Sequence, residues 1–322
     1  MKILVTGGAG YIGSVVTARL LENGHEVIVV DNLSRGHRDA VPKGVRVLQC
    51  DVAELRQVIT LRDRIDAVVH LAGYAYVDES VSNPSIYWRN NVIGTVLLLE
   101  AIRKAEIPRL VFASTCATYG IPPELPITER TITKPVNAYG MTKLAIDMAI
   151  TSQTHAYGLT ATSLRFFNAA GAYGSLGERH SPETHLIPLA LAAAAGHRPA
   201  LLLRGDDYPT PDGTCIRDYI HVLDLAQAVI CALERAREHH HSIYNLGNGH
   251  GYSNREVIAT VEEVTGRKVP VQICHRRPGD PPVLIASNEK IKTELRWRPE
   301  HSSLWSMISD AWDFYRASTA FA

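Results

Sequence analysis

Short apolar runs alternate with segments of helical length through the first half of the chain. Most of these runs are continuously apolar rather than alternating, which is typical of parallel strands covered on both faces. They predict six β-strands, at residues 2–7, 26–31, 45–51, 67–72, 110–114 and 160–167. The segments between them predict helices at residues 12–23, 53–62, 84–103 and 139–157.

This alternation predicts an α/β fold built on a Rossmann-type doubly wound parallel sheet. After about residue 170, proline, glycine and polar clusters separate shorter elements, so a smaller mixed α/β lobe is expected there. We therefore predict a Rossmann domain at residues 1–170 and a second lobe at residues 171–322. Residues 221–247 carry a helix-like and then a strand-like pattern, and we expect them to return to the first domain.

Charge and composition exclude several classes of partner. The 33 basic and 33 acidic side chains balance, which argues against nucleic acid or an anionic membrane as the main partner. No apolar run reaches the roughly 18 residues of a membrane helix, and the N-terminus lacks a signal peptide's layout. The five cysteines lack zinc-site or redox-motif spacing, which favours reduced thiols and a cytoplasmic location.

One histidine cluster invites a metal interpretation. His239, His240 and His241 follow a helix-like segment and precede a strand-like one. A solvated helix end explains them better, because cationic groups suit a helix C-terminus. We therefore predict no metal site.

A glycine-rich segment joins the first predicted strand to the first predicted helix. Gly7, Gly10 and Gly13 allow a tight turn, close approach of a pyrophosphate and packing of the helix on the strand. Asp31, at the end of the second strand, is placed to accept hydrogen bonds from an adenosine ribose. Its charge would repel a 2′-phosphate, so the pattern favours NAD over NADP, although nearby Arg35 keeps NADP open.

A second set of residues indicates redox chemistry on an alcohol. Tyr139 and Lys143 lie one turn apart at the start of a predicted helix and share a face. A nearby ammonium and the positive nicotinamide ring of NAD⁺ would both lower the phenol's pKa, whose ordinary value is about 10. Thr115 ends the fifth predicted strand and would relay hydrogen bonds between a substrate and Tyr139. A turn hydroxyl bonded to local backbone is the simpler alternative for Thr115.

Several segments along the chain form one recognisable set. They are TGGAGYIG at 6–13, DNL at 31–33, STCATYG at 114–120, the Tyr139–Lys143 pair, RFFN at 165–168, DYPTPDGTCIRDYIHV at 207–222, YNLGNG at 244–249 and RRPGDPP at 276–282. Together they resemble the extended short-chain dehydrogenase/reductase family, and within it the UDP-glucose 4-epimerases, along nearly the whole chain. The segment at 207–222 discriminates best, because it lies outside the shared cofactor half.

This resemblance implies an isomerase that interconverts UDP-glucose and UDP-galactose. Tyr139 would take the proton of the 4-hydroxyl while hydride passes from C4 to NAD⁺, and the 4-keto sugar would rotate before reduction on its other face. Residues 1–170 would bind NAD and residues 171–322 the UDP-sugar. The helices at 84–103 and 139–157 would pair across a two-fold axis in a homodimer, unless their apolar faces simply cover the sheet.

The resemblance also assigns the residues of the site. Those expected to line the NAD site are Gly7, Gly10, Tyr11, Ile12, Gly13, Asp31, Asn32, Leu33, Ser34, Arg35, Gly36, Asp51, Val52, Leu71, Ala72, Gly73, Tyr74, Ala75, Asn90, Tyr139, Lys143 and Phe167. Those expected at the UDP-sugar are Thr115, Asn168, His185, Leu186, Arg217, Tyr219, Arg277, Asp280 and Leu284. For the two arginines, a surface salt bridge is the simpler alternative.

Four positions bear on affinity and substrate range. Ala75 stands where many members carry a lysine that holds the cofactor, so Tyr74 and Arg35 are expected to contribute instead. Phe166 and His185 replace a tyrosine and an asparagine. Leu284 occupies the position that abuts the sugar's 2-substituent, and a leucine there is expected to favour UDP-glucose and UDP-galactose over the N-acetyl sugars.

The same residues bear on the activities of related enzymes. Nucleotide-sugar dehydratases place an Asp-Glu pair directly after the threonine, where this chain has Cys116 and Ala117. Uronate epimerases or decarboxylases would need an extra cation for the sugar carboxylate, and the sequence leaves that possibility open. A non-catalytic NAD-sensing regulator would be expected to lose the Tyr139–Lys143 pair, which is present.

Overall fold

The computed structural model describes residues 1–277, 279–301 and 303–319. Its strands are β1 Lys2–Thr6, β2 Glu26–Val30, β3 Arg46–Leu48, β4 Ala67–His70, β5 Arg109–Thr115, β6 Thr160–Phe166, β7 Asn168–Ala170, β8 Leu201–Arg204, β9 Ile216–His221, β10 His241–Leu246, β11 Gly251–Ser253, β12 Val271–Cys274 and β13 Val283–Leu284. Its α-helices are α1 Tyr11–Glu22, α2 Leu55–Val58, α3 Val77–Ser82, α4 Pro84–Tyr87, α5 Gly94–Lys104, α6 Ala138–Tyr157, α7 Leu186–Ala194, α8 Val222–Arg235, α9 Asn254–Thr265, α10 Glu289–Glu294 and α11 Leu304–Thr319.

Seven strands form one sheet in the order β10-β6-β5-β4-β1-β2-β3, and every pair in it is parallel. This confirms the predicted Rossmann-type doubly wound sheet, whose order reverses direction next to β1. The segment 221–247 supplies α8 and the edge strand β10. The division of the chain at residue 170 stays a prediction.

The sheet is buried because the side chains along each strand point alternately into two apolar layers. Ile3 and Val5 point into a cluster with α1 and α8, whereas Leu4 points into a second cluster with α5 and α6. Side chains of successive strand residues leave opposite faces, so both faces of β1 must be apolar. The continuous apolar runs in the sequence follow from this double burial.

Two predicted helices differ from the structure. The prediction of one helix at 53–62 is wrong. This segment contains a single α-helical turn, α2, between 3₁₀-helices at Val52–Glu54 and Leu61–Asp63. Thr60 N–H donates to Asp63 Oδ2 at 2.8 Å and begins a new turn, which stops the preceding helix. The helix expected at 84–103 is helical throughout, but a π-helix at Trp88–Ile93 separates α4 from α5.

A smaller lobe packs at the carboxyl edge of the sheet. Its core joins α7, α9 and α11 through Leu191, Val257 and Met307. Strand β7 follows β6 after one residue and runs parallel to β9, with Asn168 opposite Tyr219. The chain thus passes from the large sheet into the small one beside the strand ends, where ligands bind in such folds.

Among the described residues, no helix combines the length and the apolarity needed to span a bilayer.

Candidate functional site

One cavity of about 840 Å³ opens at the carboxyl ends of the central strands. The residues predicted to bind NAD, to bind the substrate and to act in catalysis all line this cavity, with the exception of Leu33. Leu33 has φ of 60° and donates its N–H to Asp31 Oδ1 at 2.9 Å, so it shapes the turn after β2. The structure therefore brings the predicted site residues together around a single space.

The glycines between β1 and α1 leave a cradle that larger residues would fill. Gly7 has φ of +72°, and a Cβ there would lie 2.6 Å from the Ala72 nitrogen. A Cβ on Gly13 would collide with the Gly7 carbonyl oxygen. The turn between β1 and α1 therefore leaves space for backbone N–H groups to approach a ligand, which fits the diphosphate of a dinucleotide.

Asp31 is fixed at the end of β2 by backbone donors. Its Oδ2 accepts the Ala9 N–H at 3.0 Å, and the whole residue is 8% exposed. Arg35 is engaged elsewhere, since its guanidinium pairs with Glu79 at 2.6 Å and lies over the rings of Tyr74 and Tyr76. A carboxylate at the ribose position and an arginine already paired both favour NAD over a 2′-phosphorylated cofactor.

The predicted catalytic residues meet where β5 ends and α6 begins. Asn137 caps α6 by accepting the Gly140 N–H at 2.8 Å, which places Tyr139 in the first turn. Thr115 Oγ1 accepts the Ala117 N–H at 3.2 Å, so the local backbone bond considered for this hydroxyl is present. The same side chain also lies beside the Tyr139 phenol and lowers the pKa of that phenol. One helical turn later, Lys143 donates from Nζ to the Ala113 carbonyl at 2.8 Å.

The pKa values of this pair are set by burial. Burial raises the pKa of Tyr139 to about 12, and the hydrogen bond from Thr115 only partly opposes it. This is opposite to the lowering expected from a neighbouring ammonium, because burial penalises the charged phenolate. Burial also lowers the pKa of Lys143 to about 8, partly opposed by Asp147. The phenol is therefore neutral at pH 7, and a further positive charge is needed to make it a base.

A buried ion pair near Thr115, Tyr139 and Lys143 was not predicted from the sequence. Asp147 Oδ2 accepts from Ser114 Oγ at 3.1 Å and from Arg165 Nη2 at 3.0 Å. The side chains of Asp147 and Arg165 are only 3% and 4% exposed. The spacing of Lys143 and Asp147, four residues apart on one helix, was the available signal.

The other end of the cavity is lined by the predicted substrate residues. Arg217, on β9, donates from Nη1 to the Ile216 carbonyl at 2.9 Å, and Arg277 pairs with Asp78 at 3.1 Å. Leu284 lies opposite Arg217 in the β13–β9 pair and packs in a small apolar cluster that contains Phe167. The salt bridge considered for Arg277 is present, on a side chain that also faces the cavity.

Asn91 was also missed, although its neighbour Asn90 was predicted. Asn91 is 2% exposed; its Oδ1 accepts the Tyr74 N–H at 2.8 Å, and its Nδ2 donates to the Tyr74 carbonyl at 3.0 Å. Asn90 lines the cavity and donates to Asn91 Oδ1 at 2.9 Å. Asn91 thus holds the loop that carries Gly73, Tyr74 and Ala75.

His185 belongs to a charged cluster at the cavity wall. Its Nδ1 lies 2.7 Å from Glu178 Oε1 and 2.9 Å from Glu183 Oε1. Although burial opposes a charged ring, Glu178 raises the pKa of His185 to about 10. Burial likewise opposes the Glu178 carboxylate, but His185 and His180 lower its pKa to about 2.

The family model described as "NAD dependent epimerase/dehydratase family" matches residues 3–247. The chain belongs to this family. It is 53% identical to a UDP-glucose 4-epimerase of Corynebacterium glutamicum, over 98% of this chain and 96% of the relative.

Two solved structures of similar proteins contain bound ligands. The UDP-glucose 4-epimerase of Brucella ovis, in complex with NAD, superposes with a TM-score of 0.92 at 44% identity, covering 97% of this chain and 98% of the other. That of Bifidobacterium longum, in complex with NAD⁺ and UDP, gives a TM-score of 0.94 at 35% identity and covers 99% of each chain.

Proposed function

We propose that the protein interconverts UDP-glucose and UDP-galactose by NAD-dependent epimerisation at C4 of the sugar. The observation that carries this proposal is one continuous cavity that joins the glycine cradle to the Tyr139–Thr115 pair and then to Arg217. A dinucleotide, an oxidisable alcohol and a diphosphate-linked nucleotide each find matching groups there. The epimerases of Corynebacterium glutamicum and Bifidobacterium longum support the same reaction.

The glycine cradle and Asp31 would hold NAD, which would supply reversible hydride transfer at C4 of the sugar. Tyr139 holds the proton of the 4-hydroxyl at its phenolic oxygen, and the neighbouring Thr115 hydroxyl lowers the pKa of that phenol. Lys143 donates a hydrogen bond to the Ala113 carbonyl. Its buried positive charge therefore lies beside Gly73 and beside β5, the strand that ends at Thr115. Arg217 and Arg277 anchor the diphosphate, because guanidinium groups are permanently charged and present paired donors.

Dehydratase chemistry lacks its acid and base. Cys116 follows Thr115, and burial raises the pKa of its thiol to about 12, so it stays protonated at neutral pH. Ala117 has no titratable group. A dehydratase's elimination of water therefore finds no proton acceptor at these two positions.

A uronate substrate is disfavoured by the charge balance of the His185 cluster. The sequence left open an extra cation for the sugar carboxylate; His185 is a cation at the cavity wall, and it is paired with both Glu178 and Glu183. Two carboxylates outweigh one imidazolium, so the cluster offers no surplus positive charge to a sugar carboxylate. An uncharged hexose suits this wall better.

We further propose a cytoplasmic homodimer that pairs through α5 and α6. Ile93 just before α5 and Val96 within it are 55% and 41% exposed, and Met141 and Met148 on α6 are 43% and 61% exposed. Large apolar side chains grouped on adjacent helices favour burial against a second copy.

The reaction is tested by incubating purified protein with UDP-galactose and resolving the products by chromatography. UDP-N-acetylgalactosamine and UDP-galacturonate, offered separately, define the substrate range. We expect UDP-glucose as the main product from UDP-galactose and little or no conversion of the uronate. Conversion of UDP-galacturonate alone would overturn the proposal in favour of uronate chemistry.

A further inference from the structure

Four metal-ligating side chains converge in the loop that precedes α7. Glu178, His180, Glu183 and His185 each offer one ligand atom, and these atoms lie within 4.8 Å of one another. Their spacing along the chain, E-x-H-x-x-E-x-H, places all four on one short loop. All four side chains line the cavity, but only His185 is predicted to lie at the UDP-sugar, so the other three have no assigned role in the proposed epimerisation.

We propose that this cluster binds one zinc ion, which locks the 178–185 loop between the cofactor half and α7. Two imidazoles and two carboxylates form a set of four nitrogen and oxygen ligands, which suits tetrahedral zinc with no open position. Two carboxylates also neutralise a divalent ion. Imidazole nitrogens favour zinc over magnesium or calcium, which prefer oxygen ligands. The ion would lie in the wall of the cavity proposed for the epimerase, and its binding can be measured without turnover.

The surroundings hold the ligands in place. The His180 ring meets the rings of Tyr11 and Tyr76 edge-on, with centroid separations of 6.5 and 5.6 Å. Glu183 Oε1 accepts the backbone N–H groups of Thr184 and His185 at 2.6 and 2.7 Å. Ligands that are oriented by such outer contacts bind a metal more tightly, because less freedom is lost on binding.

The loop is also tied to the cofactor half on the side away from α7. Arg179 forms two hydrogen bonds with the Asp39 carboxylate, both at 2.8 Å, and its carbonyl lies 3.1 Å from His37 Nε2. Leu186, the first residue of α7, follows His185 directly. An ion held by the four side chains would therefore fix the spacing between the Asp39 region and the start of α7.

The distances within the cluster show that a proton would compete with zinc for these side chains. The Glu178–His180 and Glu178–His185 atoms are 2.8 and 2.7 Å apart, which are hydrogen-bond separations. Zinc bonds of about 2.0–2.1 Å place tetrahedral ligands about 3.3 Å from one another. Loading therefore requires the close pairs to separate by about 0.5 Å and any pair near the 4.8 Å limit of the cluster to approach. Zinc must also displace the His185 proton, because a ligating nitrogen needs its lone pair.

The test is zinc binding to full-length protein that has first been stripped with a chelator. Isothermal titration with zinc chloride, in two buffers of different ionisation enthalpy, gives the stoichiometry, the dissociation constant and the number of protons released. We expect one zinc per chain and, at pH 7, release of about one proton. Elemental analysis after gel filtration checks the stoichiometry independently.

Two double variants separate this site from adventitious binding. Because loss of an outer-shell partner alone weakens metal binding by about 10–100-fold, Glu178→Gln with His180→Asn should weaken zinc binding at least about 100-fold. The control, Glu262→Gln with His197→Asn, alters one carboxylate and one imidazole outside the cluster and should bind zinc as the wild type does.

Cobalt substitution keeps the test decisive if the first double variant folds poorly. Co²⁺ in the wild-type site should show the intense visible absorption of tetrahedral coordination, and stoichiometric zinc should abolish it. Equal zinc affinity in both double variants would overturn the proposal. So would a wild type without stoichiometric binding, or with octahedral cobalt only, and a proton would then be the occupant of the cluster.

Discussion

At the scale of single residues, Leu284 is expected to set the substrate range. It lies on β13 beside Arg217 and packs in the cluster that contains Phe167. Leu284→Ser should enlarge the space near the sugar's 2-substituent and raise kcat/KM for UDP-N-acetylglucosamine relative to UDP-glucose on the order of tenfold. Measuring kcat/KM for both sugars in wild type and variant gives this ratio.

Val283→Ser is the matched control for Leu284→Ser. Val283 precedes Leu284 on the same strand, and its side chain leaves the opposite face. It should alter stability without altering the ratio of the two kcat/KM values. A ratio that stays constant in Leu284→Ser, with both values reduced alike, would mean that Leu284 is a core residue only.

His185 should make stability depend on pH in the zinc-free protein. Glu178 raises its pKa from the ordinary 6.5 to about 10, so the folded chain holds a proton that the unfolded chain releases. The resulting stabilisation is complete below pH 6.5 and is lost as the pH rises through about 10. Glu178→Gln should therefore destabilise the protein more at pH 6.5 than at pH 10, on the order of 1 kcal/mol after solvent screening.

Urea unfolding of wild type and Glu178→Gln at both pH values measures that difference. An NMR titration of the His185 ring supplies the pKa directly. The account fails if Glu178→Gln destabilises the protein equally at the two pH values, or if His185 titrates near 6.5 in the wild type.

At the scale of elements, the start of α1 depends on a residue without a side chain. A Cβ on Gly13 would collide with the Gly7 carbonyl, whereas a Cβ on Gly94 in α5 would meet no atom within 4 Å. Gly13→Ala should lower NAD affinity at least about tenfold by displacing the phosphate loop, and should reduce Tm. Gly94→Ala, as a control, should leave NAD binding unchanged and stabilise the helix by roughly 0.5–1 kcal/mol.

Calorimetric NAD titration and thermal unfolding of both glycine variants check this prediction. The outcome that contradicts it is a Gly13→Ala protein that binds NAD like the wild type.

The sequence predicted elements well where burial alone determines the pattern. Continuous apolar runs revealed β1, β2 and β4, because strands covered on both faces need no polar positions. It failed at 53–62, where side-chain bonds from Thr60 and Asp63 override helical periodicity. The local bonding of a short polar side chain competes with the helix and is not visible in the apolar spacing.

Within the site, local motifs were predictable and long-range clusters were not. The glycine cradle is a single continuous segment, so its sequence determines its geometry. The zinc-binding cluster depends on the position of the 178–185 loop. That position is set in part by the hydrogen bonds from Arg179 to Asp39, some 140 residues earlier in the chain. Four titratable residues on a loop carry no sequence signal for whether they face inward together.

At the scale of the whole molecule, the proposed dimer depends on exposed apolar side chains of α5 and α6. Met148 is 61% exposed on α6, and a glutamate there would place a charge in the expected interface. Met148→Glu should shift the protein from twice the chain's 35.4 kDa toward a single copy. Light scattering at micromolar concentration measures the mass.

Ile132→Glu is the control for the dimer, because Ile132 is 77% exposed and lies outside α5 and α6. It should leave the mass unchanged. A monomeric wild type, or a Met148→Glu protein that stays dimeric, would refute pairing through these helices.

The most direct test of the whole account is turnover of UDP-galactose by Tyr139→Phe. The variant removes the phenolic oxygen beside Thr115 but keeps the ring, so NAD and UDP should bind as they do to the wild type. General base catalysis is typically worth about 10²–10⁴-fold, and kcat should fall by that factor. Tyr157→Phe, on the same helix and exposed, should turn over normally. If Tyr139→Phe converts UDP-galactose within a few-fold of the wild-type rate while binding both ligands, Tyr139 is not the base and the proposed mechanism is wrong.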